Sequence, residues 1–438
     1  MYLNKKKNAY FCERIDVMRL IKRIVQWTIG IICGFYLCLQ IVMRIPVVQE
    51  YAGVAVSSLL SDLWDWNIAI KRIRLGLWNR VIIDDVNLKD KQDSTLLHAS
   101  RLAAKIDILP FLEGKVSIAN IQLFGTQAKL YQSSPEAKPN FQFILDTFSS
   151  NDTTSSPLNL HIGSILLRRV DVSWDRQWIP QKTDGTMDIN HLHLNDIALT
   201  AHLRTLQEDS LNIALKRLSI NESNGFTLKN MTFDLNVGKN SGELNNFKIL
   251  LPNSSLDIPS IHSKWDNPSS NSNWKTWIQN VAMNGNMQME LLPSDLKSIY
   301  PNFKIADKPI MLTTHFMVID SCLNVPRLNL TNHSSLDLET GIFIKDLISS
   351  PDYMVEIRNL TLTSAFQQFI TKTLKGREDE LSPILTRMDT INIRGLMQFS
   401  KQEQQASLLI LNHAGNLNIK AKAKEWNSCE VAIKSEGI

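Results

Sequence analysis

The sequence predicts a mainly β protein, in which one N-terminal transmembrane helix precedes a long β-sheet with a few short helical inserts. Three observations support this fold class. A charge-free apolar segment near the N-terminus is long enough to cross a bilayer. Most of the chain after residue 68 alternates apolar and polar residues, the period of a half-buried strand. Turn-forming residues separate these runs at intervals of roughly 8 to 15 residues, as in an all-β meander.

Composition and charge exclude several classes of protein. The 438 residues include 47 Lys and Arg against 43 Asp and Glu, so the net charge of +4 gives no reason to expect a nucleic-acid partner. Only two of the five cysteines, Cys322 and Cys429, lie in the main body of the chain. No disulfide framework is therefore implied, although one bridge between these two residues stays open.

Residues 24–43 form the predicted membrane anchor. This uncharged segment spans about 30 Å as a helix, which matches the hydrocarbon thickness of a bilayer. Seven basic residues precede it against two acidic ones, so the positive-inside rule predicts a cytoplasmic tail at residues 1–23 and the bulk of the chain across the membrane. A cleaved signal peptide and a buried soluble helix are the alternatives; the long apolar run disfavours the first and the basic flank the second. The anchor positions are Ile24, Trp27, Ile31, Phe35, Leu39 and Met43.

Residues 47–66 are predicted to form an amphipathic helix. Apolar side chains recur there at spacings of three and four, at Val48, Tyr51, Ala55, Leu59 and Leu63. Such a helix lies on the membrane surface, closes the end of the following sheet or packs as an ordinary helix, and these alternatives stay open. Trp64, Trp66 and Trp78 form either an interfacial belt near the membrane or part of a core.

The stretch from Leu88 to Leu130 carries the clearest β pattern. Strict alternation runs from Leu96 to Ile108, and Val116–Phe124 and Gln127–Tyr131 are predicted as the next two strands, separated by Gly125. We expect its aliphatic side chains to line an interior apolar surface, opposite the charged face that holds Arg101, Lys105 and Asp107. The predicted lining residues are Leu102, Ile106, Ile108, Val116 and Ile118.

Further strands are predicted along the rest of the chain, which we treat as one body at residues 68–438. A short phrase with Asn or Asp before an apolar–polar–Leu sequence recurs, for example at Asp84–Leu88 and Asn195–Leu199, and indicates repetition. Three helical inserts are predicted after Asn140, Ser294 and Ser364. The remaining predicted strands are 68–77, 81–88, 158–167, 170–174, 187–194, 197–203, 211–220, 226–235, 242–251, 281–290, 310–319, 336–344, 353–362, 390–399, 405–411 and 416–424.

No group of residues in the sequence predicts catalysis or metal binding. His191 and His193 share a strand face but have no third ligand fixed nearby, so a polar strand face is the favoured interpretation. Ser164 lacks the flanking glycines of a nucleophile elbow. Asp84 and Asp85 are adjacent, and neighbouring strand residues point to opposite faces, so we interpret one of them as a turn residue. We therefore expect no enzyme activity, no catalytic residues, no metal and no cofactor.

Several phrases of the sequence resemble a known family. They are Leu77–Asp90 (LWNRVIIDDVNLKD), Ser94–Ala99 (STLLHA) and Ile106–Ile118 (IDILPFLEGKVSI), with further echoes at Phe141–Asp146, Leu160–Ile165 and Glu222–Phe226. In these residues the chain resembles the AsmA-like/TamB family of bacterial envelope proteins, in the form found in Bacteroidetes. The resemblance covers about residues 18–260 well and the rest loosely.

The resemblance implies a fold and a function. Family members form a long twisted β-sheet folded into an open groove, a repeating β-groove or taco, which runs from the inner membrane into the periplasm. It implies phospholipid transfer toward the outer membrane, or a scaffold of a translocation and assembly module that helps an outer-membrane barrel assembly protein of the Omp85 type to insert proteins. Because TamB-like proteins are much longer, we expect this chain to be truncated at its C-terminus.

Overall fold

The computed structural model of the chain describes residues 3–76, 79–106, 117–149, 161–207, 210–265, 278–301, 308–332, 335–364, 389–425 and 428–437. The contacts within the chain divide it into two units, which we describe separately. The first unit comprises Met1–Thr126 with Asn140–Leu160, and the second comprises Gln127–Pro139 with His161–Ile438.

The described residues include three α-helices, namely α1 (Leu3–Val42), α2 (Pro46–Trp64) and α3 (Gln142–Ser149). α2 corresponds to the amphipathic helix expected at residues 47–66. Pro46 stands in its first turn, where a missing N–H is harmless because the first helical N–H groups have no intrahelical partner. Asp65 ends α2 in the left-handed conformation, and its N–H donates to Ser61 O.

The described part of the chain places 21 strands in one sheet, which confirms the prediction of a mainly β fold with few helices. The strands are β1 (Asn67–Leu75), β2 (Arg80–Lys89), β3 (Thr95–Ile106), β4 (Ser117–Gln132), β5 (His161–Ile162), β6 (Ser164–Arg176), β7 (His191–Gln207), β8 (Ser210–Glu222), β9 (Thr227–Leu228), β10 (Asn230–Val237), β11 (Ser241–Leu250), β12 (Ser255–Trp265), β13 (Val281–Leu291), β14 (Ile310–Ile319), β15 (Cys322–Asn332), β16 (Leu336–Lys345), β17 (Asp352–Leu362), β18 (Ile391–Phe399), β19 (Glu403–Asn412), β20 (Gly415–Lys424) and β21 (Ser428–Glu436).

The sheet is an antiparallel meander. Every pair of strands whose register is described is antiparallel, and from β10 to β21 each strand pairs with the next one along the chain. β8 pairs with β10, while the two-residue β9 pairs with the end of β8. Within the described residues the sheet is open, so it does not close into a barrel.

In the first unit, α2 packs on one face of the first strands. Ile70, Val86 and Ala99 stand directly opposite one another on β1, β2 and β3, and all three are buried. The α2 side chains that pack against this cluster include Ala52 and Val56. Of the five positions in the predicted apolar stripe, Val48 is half-buried and the other four, Tyr51, Ala55, Leu59 and Leu63, are exposed, so α2 packs through a different face from the one that the spacing predicts.

α2 also covers the free edge of β1. The N–H of Ile70 donates a hydrogen bond of 2.9 Å to Ser57 Oγ, which satisfies an edge donor that would otherwise face solvent or another strand. Gly53 lies so close to the strand that a Cβ atom there would stand 2.8 Å from Ile70 O and 3.0 Å from Lys71 O. This approach requires a residue without a side chain.

α3 packs beyond the C-terminal end of α2. The Trp66 ring meets Phe143 edge to face with 6.1 Å between centroids, and Trp66 Nε1 donates to Thr147 Oγ1 at 3.3 Å. Trp64 contacts Trp66 at 4.8 Å. Because α2 is about 28 Å long, these two rings lie a helix length from the end of α1. Packing is therefore the role the structure favours for Trp64 and Trp66, while Trp78 lies outside the described residues.

Three strands are longer than the sequence pattern predicts. The two strands expected around Gly125 are one strand, β4, and the predicted breaks after residues 167 and 194 fall inside β6 and β7. Gly125, Arg169 and Asp196 adopt positive φ values of 57°, 53° and 50° inside these strands. A left-handed residue disturbs the alternation without ending the strand, which explains why each strand is predicted as two.

Three described strands have no counterpart among the predicted ones, namely β12, β15 and β21. β12 contains Pro259 and β15 contains Pro326, and a proline in a strand-like run argues against a strand. Both prolines sit where the ladder is irregular, because the register shifts between Asp257 and Ile261 in the β12–β13 pair and between Val325 and Leu328 in the β15–β16 pair. A residue without an N–H is tolerated at such points.

The predicted helical inserts have mixed outcomes. α3 follows Asn140, and the insert near Ser294 is a single 3₁₀ turn at Pro293–Leu296 rather than an α-helix. The helix expected after Ser364 lies outside the described residues. Cys322 and Cys429 are both free, so the bridge left open between them does not form.

Candidate functional site: the apolar face of the open sheet

One row of directly opposed side chains crosses eleven neighbouring strands of the second unit, and every member is apolar. Each member stands opposite the next across the ladder, so all of them share one face of the sheet. Ten steps between strands correspond to about 48 Å. In order from β10 to β20 the row comprises Met231, Ile249, Leu256, Met289, Leu312, Leu330, Leu338, Leu360, Ile393, Ile410 and Leu417.

The neighbouring row is polar throughout. It consists of residues one position away on eight of the same strands, and adjacent strand residues point to opposite faces. From β10 to β17 this row comprises Thr232, Lys248, Asp257, Gln288, Thr313, Asn329, Glu339 and Asn359. The second unit therefore has one apolar and one polar face along this line, although each strand alone shows only a short alternation.

The apolar row is only partly covered. All eleven of its side chains are half-buried, and none is fully buried. A face beneath a second packed layer would be excluded from water, as Ile70, Val86 and Ala99 are beneath α2, with exposed fractions of 5%, 6% and 0%. The row therefore offers continuous apolar surface to a further occupant.

A second apolar row lies on the same face and reaches the last described strand. It crosses β15 to β21 and ends at Val431, whose side chain is 54% exposed. In strand order it comprises Val325, Ile342, Val355, Met397, Ala406, Ala421 and Val431. Val325 is buried, with 7% of its side chain exposed, whereas the other members are half-buried or exposed, so the two rows form an apolar band from β16 onward.

β21, the last described strand, has one side without a partner strand in the described part of the chain. All nine of its residues are exposed, and in the described part of the chain its only paired neighbour is β20. Its pairing with β20 is regular over nine residues, without a bulge that would twist the edge away. A long regular edge is a template for another strand.

The lining residues predicted from the sequence lie in the first unit. Leu102 and Ile106 on β3 and Ile118 on β4 are half-buried, while Ile108 and Val116 lie outside the described residues. Leu102 stands opposite Ile83, which stands opposite Ile73, so this position does belong to an apolar row. That these side chains line a lipid groove stays a prediction.

The described charged residues of β3 lie on the face of the strand that the alternation predicts. Arg101 and Lys105 are exposed, and Arg101 stands opposite Asp84 rather than in the apolar row of Leu102. Asp107 lies outside the described residues.

The N-terminal helix is apolar enough to span a membrane. Its candidate span is Lys22–Val42, with 21 residues, none of it buried against the rest of the chain, and it is the one such helix among the described residues. Ile24, Trp27, Ile31 and Phe35 are 56% to 74% exposed, and Leu39 is 39% exposed. Met43 follows the last residue of α1 and is half-buried, so the span ends one residue earlier than predicted.

A charged cleft of about 690 Å³ lies beside the N-terminal part of α2, lined by residues of β1, β2 and β3. Arg74 holds Asp84 through two bonds, with Nε to Oδ2 at 2.6 Å and a second nitrogen to Oδ1 at 3.0 Å, and Arg101 Nε adds a third at 2.9 Å. Burial opposes ionisation of Asp84, but the hydrogen bonds and charges of the two arginines outweigh it and lower the pKa of Asp84 below its ordinary value.

Asp85 has a different role from the one predicted. The interpretation of one residue of the Asp84–Asp85 pair as a turn residue is wrong, because both lie within β2. Asp85 has a φ of 59°, and its carboxylate contacts His98 Nε2 at 2.9 Å and Lys71 Nζ at 3.7 Å. Because the left-handed residue disturbs the alternation, both carboxylates line the same cleft.

The His, Cys, Asp and Glu side chains of the described residues do not assemble a metal-binding arrangement. His191 pairs with Asp175 through Nδ1 and contacts Ile179 O through Nε2, while His193 stands opposite Ser173. Across the described residues, no three His, Cys, Asp or Glu side chains converge on a point that could hold a metal ion.

Comparison of the chain with family models, with curated proteins and with solved structures gives no match. The class that the fold itself defines is a β-rich open sheet with one N-terminal helix able to span a membrane.

Proposed function

We propose that this chain is a membrane-anchored lipid-binding protein, which carries phospholipid acyl chains along the apolar face of its open sheet toward the outer membrane. The observation that carries this proposal is the row of eleven half-buried apolar side chains from Met231 to Leu417, bordered by a polar row on the opposite face. On this proposal the chain is of the AsmA-like/TamB kind that its sequence phrases resemble.

Hydrocarbon that is exposed to water carries a large free-energy cost. Each methylene in water costs about 0.8 kcal/mol, so a two-tailed phospholipid outside a bilayer costs on the order of 20 kcal/mol. An apolar row about 48 Å long is about three times the depth of one hydrocarbon leaflet, which is about 15 Å. Such a row offers room for several acyl chains in succession and offsets most of that cost.

The anchor supports a placement for the protein. The basic residues that precede the apolar span favour a cytoplasmic N-terminus. On this proposal the sheet lies on the opposite side of the inner membrane, in the periplasm. Phospholipids and the inner membrane are then the expected partners, and the carrying surface itself requires no cofactor.

The experiment is to purify the full chain in a mild detergent and quantify bound phospholipid by mass spectrometry. Met289→Lys places a charge in the apolar row and should reduce bound lipid several-fold, because a desolvated ammonium is disfavoured beside acyl chains. Gln288→Lys is the matched control, since Gln288 is the exposed neighbour on the polar face and should retain wild-type lipid. Lipid-free wild-type protein, or equal loss in both variants, would contradict the proposal.

A second candidate function is the interaction scaffold that the family resemblance implies, and the nine exposed residues of β21, the last described strand, are where it can be tested. On this proposal, strand addition at β21 recruits an outer-membrane barrel assembly protein of the Omp85 type. A photo-crosslinker at Glu430 or Lys434 in the intact envelope tests it. Adducts with a barrel protein that disappear when Ala432 is replaced by Pro would support the scaffold, and lipid adducts alone would support the first candidate.

A further inference from the structure

The cleft beside α2 is cationic. Among its lining residues, Lys71, Arg72, Arg74 and Arg101 carry four positive charges against the two carboxylates of Asp84 and Asp85. Asp84 is shared by two arginines, and Asp85 is shared by Lys71 and His98. With His98 neutral, the cleft keeps a net charge of +2 that its own carboxylates do not neutralise.

Arg72 is the cation that these ion pairs leave out. Its Nε atom is buried and has no hydrogen-bond partner among the described residues. A buried donor without an acceptor destabilises the folded state, so such groups in proteins usually serve a ligand, a water molecule or an ion. Arg72 stands opposite Asp84, which stands opposite Arg101, so the three side chains share one face of β1–β3.

The cleft lies close to the end of the candidate membrane span. Gln40 in the last turns of α1 donates from Nε2 to Gly76 O at 3.1 Å, and Gly76 directly follows β1. Gln49, which lines the cleft, donates to Met43 O at 2.9 Å. Arg74 and Arg72 precede Gly76 by two and four residues, which is about 7 to 13 Å along a strand. That distance corresponds to the headgroup layer outside the hydrocarbon core.

We infer that this cleft binds a phosphate group at the membrane surface. The position of the cleft favours the headgroup of an anionic phospholipid as the source of that phosphate. Arg72 supplies the free guanidinium, whose planar donors suit phosphate oxygens, and Lys71 and Arg101 supply further charge. The inference rests on α1 being a membrane anchor, and it does not require that lipid passes along the apolar face of the second unit.

The test uses the full chain in a neutral detergent and measures binding by calorimetry. The probes are short-chain phosphatidylglycerol, short-chain phosphatidylcholine and inorganic phosphate. We expect phosphatidylglycerol to bind at least about tenfold more tightly than phosphatidylcholine, because only the first carries a net negative charge. Arg72→Gln should weaken phosphatidylglycerol binding about tenfold, and Arg72→Lys should retain part of it.

Two further variants keep this test decisive. Arg101→Gln removes a half-exposed cation while Arg74 still holds Asp84, so it weakens binding even if Arg72→Gln impairs folding. Lys264→Gln is the control for net charge, because Lys264 is an exposed residue of β12 that does not line the cleft. It should leave binding unchanged.

The outcomes separate the sources of phosphate and separate this inference from the proposed function. Binding of phosphatidylglycerol that depends on Arg72 and that inorganic phosphate does not displace supports a lipid headgroup. Equal, Arg72-dependent binding of inorganic phosphate assigns the site to free phosphate. No preference for either anion, or no effect of Arg72→Gln and Arg101→Gln, overturns the inference. Met289→Lys should leave cleft binding intact, so loss of the lipid-carrying function would not be mistaken for loss of this site.

Discussion

Two strands of the sheet, β1 and β21, differ in whether a described element covers them. At β1, α2 lies along the edge, Ser57 accepts the Ile70 N–H, and Gly53 permits backbone contact. At β21 all nine residues are exposed and no described element covers the strand. The faces differ in the same manner, since the apolar residues under α2 are buried while the apolar row of the second unit is half-buried throughout.

In a repetitive sheet, the same alternation of apolar and polar residues forms a buried core in one region and a partly exposed apolar surface in another. Alternation is similar in both regions, so the pattern alone does not separate a core from a binding surface. The two regions differ in whether a described element covers their apolar side chains. Where α2 supplies a second layer the apolar side chains stabilise the fold, and where no described element covers them they offer a surface to a ligand.

The largest effect is expected at the covered edge. Gly53→Ala puts a Cβ atom 2.8 Å from Ile70 O, so α2 must move away from β1. We expect the free energy of unfolding to fall by about 1–3 kcal/mol, as for other overpacked sites. Denaturant unfolding measures it, and hydrogen exchange should show earlier opening of β1. Gly238→Ala is the control, since its nearest contact would be an ordinary 3.8 Å.

A smaller, pH-dependent effect is expected at Asp84. Its pKa in the folded protein is lowered from the ordinary 3.8, so its ionised form stabilises the fold fully above the unfolded-state pKa, and this contribution is lost as pH falls through the folded-state pKa. Asp84→Asn should cost about 1 kcal/mol at pH 7 because the arginines are partly exposed. The difference in thermal stability should shrink as the pH falls below the unfolded-state pKa of Asp84, and it should disappear once the pH lies below the folded-state pKa. A difference that is constant with pH would show that the charge is not its cause.

The smallest effect is expected at β21. Val431→Lys replaces a 54% exposed side chain, so the free energy of unfolding should change by no more than about 0.5 kcal/mol. Measuring the thermal unfolding of Val431→Lys together with that of Gly53→Ala compares the two sites directly. A loss as large as that of Gly53→Ala would mean that β21 is covered in solution and would remove the contrast between β1 and β21.

The sequence predicts much of the fold because alternation and helical spacing are local. The anchor, the α2 helix and most strands follow from such patterns. The sequence does not predict β12 and β15, because Pro259 and Pro326 occupy ladder irregularities, which only the pairing with neighbours reveals. It predicts β4, β6 and β7 each as two strands, because a left-handed residue inside a strand resembles a turn in sequence.

The site was harder to predict because it depends on register. The apolar rows join residues such as Met289 and Leu312 that are opposed only once strands are aligned. The cationic cleft had a local signal in Lys71, Arg72 and Arg74, but the approach of Asp84 and Arg101 depends on the pairing of three strands. The prediction that Leu102 and Ile106 line a groove rests on alternation alone.

The central claim is that lipid occupies the apolar face of the second unit and not its polar face. The most direct measurement places a photo-crosslinker in turn at residues 286 to 289 of β13 in the native envelope and identifies the adducts. The account predicts lipid adducts from Met287 and Met289 and none from Asn286 and Gln288, because adjacent strand residues face opposite sides. Equal adducts at all four positions, or no lipid adducts at any of them, would contradict it.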